Sequence, residues 1–191
     1  MSTLARIAAW TIASAGWLGC AGGASTPPAT ASSIAPKEAI AAPPQDPQPI
    51  LTSTKAKLRR NIAFESCHVS FHASGGDPAA AVTQMAQGCA DVTGMHPLGP
   101  PVTASASTSF PLHAEAGHCY RVYGVASGTV QDLDVRIQDS SGGVAGQDET
   151  DNATPVLSED GAVCFDASDQ ATVQAAIGAG SGSYAVQVWS D

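Results

Sequence analysis

His68 and His72 stand four residues apart in His-Val-Ser-Phe-His. On a helix that spacing puts both rings on one face at the distance a transition metal needs, and Glu65 lies one turn earlier. Together they would make a metal-assisted hydrolase site. The Glu inside HExxH and a clear third ligand are missing, and two surface histidines beside a solvated glutamate account for the same letters. If both rings share a face, their mutual repulsion on protonation would weaken it in mild acid. Asp132, Asp134, Asp139, Asp148 and Asp151 concentrate oxygen ligands between two predicted strands, and calcium takes six to eight oxygens. Their spacing is not that of an EF-hand, and acidic turns that keep sheet edges soluble are the alternative. Nucleophilic catalysis finds no motif. Gly178-Ala-Gly-Ser-Gly182 sets Ser181 one place late for a nucleophile elbow and lacks the Lys of a phosphate loop. His113 and His118 lack a recognisable catalytic partner. Tyr120, Tyr123, Tyr184 and Trp189 suit either a ligand face or a sandwich core, and the core reading is preferred. No catalytic residue and no cofactor are expected.

Five cysteines carry the remaining chemistry: Cys20, Cys67, Cys89, Cys119 and Cys164. The first belongs to a leader. Arg6 gives a singly positive start, Ile7 to Leu18 is uncharged and largely apolar, and small residues follow. This is the anatomy of a secretory signal peptide, too short to span a bilayer of about 30 Å. Trp17-Leu18-Gly19-Cys20 resembles the lipobox of bacterial lipoproteins, which implies acylation of Cys20. It departs from that pattern in placing Trp17 where Leu is usual, and ordinary cleavage after Ala24 is the alternative. Without Cys20 an even set of four remains, as expected for disulfides in an oxidising compartment. Four cysteines allow three connectivities. Cys67–Cys89 and Cys119–Cys164 are favoured because each pair falls within one predicted unit, and each bridge is worth about 3–4 kcal/mol in the chain-entropy model. Metal ligation is the rival, but there is no CxxC.

These residues need elements to hold them. Residues 1–19 read as signal peptide and 20–50 as a disordered Pro/Ala-rich linker, too poor in large apolar side chains to fold. Residues 51–98 read as a helical hairpin. Leu58, Ile62, Phe64, Cys67 and Phe71 suggest a helix from about Thr54 to His72, and Gly75-Gly76 breaks it. Asp77-Pro78 starts a second helix that Gly88 ends. Pro97, Pro100 and Pro101 mark a boundary. From 102 to 191 the pattern is β, with candidate strands at 102–112, 119–126, 131–138, 162–166, 171–177 and 183–189 and turn residues between them. Leu133, Val135 and Ile137 alternate with Asp132, Asp134 and Arg136, as in a sheet wet on one side. The expected fold class is therefore α+β: a linker, a disulfide-stapled αα-hairpin and an antiparallel β-sandwich.

The formal charge of −9 is uneven. Residues 50–98 hold four basic and three acidic side chains, and 102–191 hold two and twelve. Such an acidic domain argues against nucleic acid as a partner. The basic cluster Lys55-Ala-Lys-Leu-Arg-Arg60 would meet anionic surface polymer, the acidic sandwich itself, or solvent.

The second half resembles the jelly-roll-like sandwich of bacterial pre-peptidase C-terminal domains. The residues that carry the likeness are Phe110-Pro-Leu-His-Ala-Glu-Ala-Gly117, Cys119-Tyr-Arg-Val-Tyr123, Asp132-Leu-Asp-Val-Arg-Ile-Gln-Asp139 and Gly180-Ser-Gly-Ser-Tyr-Ala-Val-Gln-Val-Trp189. The whole layout is similar to small envelope lipoproteins of myxobacterial type. Pre-peptidase C-terminal domains usually accompany an enzyme, and this chain has no room for a protease domain, so that appended role does not carry over. The function expected is that of an exported, monomeric cell-envelope lipoprotein. It would be anchored to the outer membrane by lipid, or secreted if Cys20 is not lipidated. It would act as a non-enzymatic binding module for an envelope protein or glycan, the alternatives being an envelope spacer or the His68/His72 hydrolase.

Overall fold

The computed structural model describes residues 51–73, 76–148 and 150–191. The leader, Cys20 and the linker lie outside the described residues. Antiparallel sheet dominates. One sheet has six strands, ordered β1 (Ala56–Arg60), β8 (Gly161–Phe165), β5 (Cys119–Ala126), β10 (Tyr184–Ser190) and β2 (His96–Pro97), with β3 (Val102–Ala104) also on β10. The other has four, ordered β4 (Thr108–Ala114), β9 (Asp169–Ala179), β6 (Asp132–Gln138) and β7 (Val144–Gln147).

Alternation explains how the sheets face each other. Leu133, Val135 and Ile137 of β6 and Ala171, Val173 and Ala175 of β9 turn one way. They pack against Tyr120 and Val122 of β5, Val163 and Phe165 of β8, and Tyr184, Val186 and Val188 of β10. The sequence stretch read as one strand over 102–112 divides at 105–107. Its first part joins the six-stranded sheet and its second the four-stranded one.

The central strands of the six-stranded sheet, β8, β5 and β10, are buried on both faces, and every residue of β10 is buried. Its outer face is covered by α2 (Pro78–Thr93), which presents Val82, Met85, Ala86 and Cys89 at helical spacing. These meet Tyr123, Val125, Ala185 and Trp189 in a second core. Asp77 caps α2 through Ala79 N at 3.1 Å, and Pro78 opens it. The helix runs past Gly88, which faces solvent, and stops at Gly94, whose φ of 70° is a left-handed cap.

The first predicted helix is corrected. Ala56–Arg60 is an edge strand paired with β8, and only Ile62–Ser66 forms a helix, α1, one turn long and capped by Asn61. The five-residue run carries three charges and alternates no apolar face, so its conformation is set by pairing with β8 rather than by local pattern. The segment before it bridges the two sheets, because Ser53 N donates to Val144 O and Val144 N donates to Leu51 O. Residues 51–98 are thus not a separate helical hairpin. They supply an edge strand and a helical layer to the body that holds 102–191.

Both disulfides join the expected partners. Cys67–Cys89 ties the segment after α1 to α2, and Cys119–Cys164 crosses directly between paired positions of β5 and β8.

Candidate functional site

The basic cluster lies along β1 and turns to the acidic sandwich itself. Lys55 Nζ is 2.8 Å from Asp169, Lys57 Nζ 2.6 Å from Asp166, and Arg60 Nε 3.0 Å from Asp160. Lys55 and the Ser140 hydroxyl and amide converge on Asp169, and these partners outweigh the cost of burial to hold its pKa below the ordinary value.

The five aspartates do not form one set. Among the described residues no three of them bring ligand oxygens within 4.8 Å of one another. Asp139 is consumed by the β6–β7 turn. Its Oδ1 accepts from Ser141 N at 2.8 Å, Ser141 Oγ at 2.6 Å and Gly143 N at 2.9 Å. Asp148 accepts from the Thr150 hydroxyl at 2.9 Å. Asp132, Asp134 and Asp151 do feel one another. Burial first, then the charges of Asp134 and Asp151, raise the pKa of Asp132.

His68 and His72 are not aligned on a helix, since α1 ends at Ser66 and the chain turns after it. The shared-face argument for a transition-metal site, and for repulsion between the two rings, therefore loses its geometry. The one group of three potential ligands among the described residues is Cys67, His68 and Cys89, with both sulfurs joined in the disulfide. The aromatic residues Tyr120, Tyr123, Tyr184 and Trp189 are all core, each at most 3% exposed. His113 is exposed beside Gln170, 2.6 Å away, and His118 lies near Glu115 and Asp191.

Two features stand out that the letters did not announce. The first is the outer face of the four-stranded sheet, which no element among the described residues covers. Register places Ser109, Gln174, Arg136 and Gln147 side by side across β4, β9, β6 and β7. Arg136 Nε donates to Gln174 Oε1 at 2.6 Å, and Gln174 Nε2 donates to Gln138 Oε1 at 2.7 Å. Asp134, Asp148 and Thr108 extend this row into an open groove of about 610 Å³. The alternation of β6 marks Arg136 as outward, but the sequence does not say which side chains of other strands lie beside it.

The second is Arg121, fully buried on β5. Its Nη2 lies 3.1 Å from Phe64 O, 2.8 Å from Glu159 O and 3.4 Å from His68 Nδ1, and its Nη1 lies 3.4 Å from Cys67 Sγ. The Phe64 and Tyr123 rings flank the guanidinium at 5.0 and 5.3 Å. No carboxylate among the described residues lies within ion-pair distance of it. Burial lowers its pKa from the ordinary guanidinium value, while Tyr123, Glu159 and Asp160 oppose that shift. Burial and the Arg121 charge also lower the pKa of His68, which favours its neutral form. A lone Arg inside the otherwise apolar run Tyr120 to Val125 was the available sign.

No protein-family model and no curated protein matches the sequence. Two disulfides fit an oxidising compartment, and no helix among the described residues is long and apolar enough to cross a membrane.

Proposed function

We propose that this chain is an exported cell-envelope lipoprotein, anchored through Cys20 and the 20–50 linker, that binds a hydroxyl-rich glycan on the outer face of its four-stranded sheet. The observation that carries the binding reading is the in-register row Ser109, Gln174, Arg136 and Gln147. Amides, a hydroxyl and a guanidinium in register on one sheet face offer donors and acceptors at strand spacing, which suits the repeated hydroxyls of a sugar polymer. The row contains no large apolar side chain, which weighs against a protein partner, whose interface needs buried aromatic or aliphatic anchors. The jelly-roll-like connectivity implied by the family resemblance belongs to the same proposal. Binding needs no catalytic step, so the module is non-enzymatic in this reading.

The test is a glycan array probed with the mature protein and with an Arg136→Ala, Gln174→Ala double variant. Retention on one glycan class that falls at least tenfold in the variant supports the reading. Retention that survives the double substitution removes this face as the site, and no retention on any glycan favours an envelope spacer or a protein partner. Intact mass of protein extracted from its native membrane reports the acyl groups on Cys20, and an unmodified N-terminus ends the anchoring part.

A further inference from the structure

A buried guanidinium with no anion beside it is costly, because charge removed from water needs a counter-charge and not only carbonyl dipoles. Among the described residues Arg121 makes no ion pair, Glu159 and Asp160 reaching it only through longer-range charge, and besides Tyr123, two carbonyls and an imidazole nitrogen it lies against Cys67 Sγ. In the oxidised protein that sulfur carries no charge. After reduction it would be a thiolate 3.4 Å from a cation that is already in place, and an adjacent cation is what lowers a thiol's pKa.

The two sulfurs are unequal in a second way. Cys89 is wholly buried on the inner face of α2, whereas Cys67, on the irregular chain after α1, is only partly buried. Burial therefore leaves Cys67 as the sulfur an incoming thiolate would approach. The other bridge has no such asymmetry, since Cys119 and Cys164 are both buried and directly opposite on paired strands.

We infer that Cys67–Cys89 is a thiol–disulfide exchange centre that accepts two electrons from a dithiol, with Cys67 as the reacting sulfur and Arg121 as the counter-ion of its thiolate. One thiol of the donor loses its proton to solvent, and its sulfur attacks Cys67 Sγ. The Cys67–Cys89 bond breaks, and Cys89 leaves as a thiolate that takes up a proton. The donor's second thiol loses its proton to solvent and attacks the donor sulfur of the mixed disulfide. The donor departs as a disulfide, and Cys67 remains as a thiolate against Arg121. The donor is oxidised by two electrons and the protein bridge is reduced by two.

The decisive measurement uses the unaltered protein. It is equilibrated with graded ratios of reduced to oxidised dithiothreitol, quenched in acid, alkylated, and mapped by peptide mass. Cys67 and Cys89 are expected to become alkylated at a ratio at least tenfold lower than Cys119 and Cys164. Opening of both bridges together, or of Cys119–Cys164 first, overturns the proposal. In a Cys89→Ser variant, the pH dependence of Cys67 alkylation by iodoacetamide should have a midpoint at least one unit below the ordinary free-thiol value of about 8.5. A midpoint at or above that value also overturns it. Adding Arg121→Met should move the midpoint up by about a unit or more, with circular dichroism confirming that the sheets persist. If that variant fails to fold, the two preceding measurements still decide.

Discussion

Asp139 owes its acidity to the turn it organises. Burial by itself would raise its pKa, but hydrogen bonds from Ser141, Ser53 and the Gly143 and Ser141 amides outweigh that and hold it at about 2. Its Oδ2 has no partner at full hydrogen-bond geometry, although Ser53 is close enough to favour the charge. The folded pKa lies below the ordinary value of 3.8. The ionised side chain therefore contributes fully above about pH 4, and its contribution drains away as pH falls toward 2. Asp139→Asn should cost roughly 1.5–3 kcal/mol at pH 7 and flatten the acid limb of stability between pH 4 and 2. Thermal melts across that range check it, and an unchanged slope would contradict it. Asp139-Ser-Ser-Gly-Gly143 is a legible turn signature. That its carboxylate serves the turn, while Asp132 and Asp134 crowd each other elsewhere, depends on how far apart β6 holds its two ends.

At the scale of elements, α2 shows what local chemistry can and cannot specify. Its start is written in Asp77-Pro78, a cap followed by a residue with no N–H to lose. Its end is not at Gly88, because a helical Gly costs only about 1 kcal/mol and the flanking Met85, Ala86 and Cys89 are buried against the sheet. Asp77→Ala should lower stability by about 1 kcal/mol, read as a shift in the urea midpoint with an unchanged slope. A change in slope would instead mean that the helical layer detaches. β1 is the opposite case. Lys57, Arg59 and Arg60 carry no strand preference, and the strand exists because residues far along the chain pair with it. β6 and β9 are legible because each alternates within itself, and β5, β8 and β10 because turn residues bound a short apolar run, whereas β7 carries neither signal and is not among the expected strands. The division of 102–112 between two sheets was not, because it depends on where β9 and β10 lie.

The molecule as a whole is held by two cores that share one sheet. Removing residues 51–101 would bare Tyr123, Val125, Ala185 and Trp189 together, a contiguous apolar face of the kind that drives association. A fragment of residues 102–191 is expected to bind a hydrophobic dye and aggregate, whereas residues 51–191 should unfold in a single transition. A soluble, cooperatively melting 102–191 fragment would refute the shared-sheet account. The position of β10 has a further consequence, for the order of events in folding. It comes after every other described strand in sequence, yet it lies inside the six-stranded sheet, between β5 on one side and β2 and β3 on the other. Ala56 likewise waits for Phe165. The sheet therefore cannot assemble progressively as the chain emerges, and topologies so rich in distant pairings fold in roughly milliseconds to seconds. Throughout that interval β1 is an unpaired edge, and its cluster of Lys and Arg side chains keeps it from recruiting the same strand of another chain.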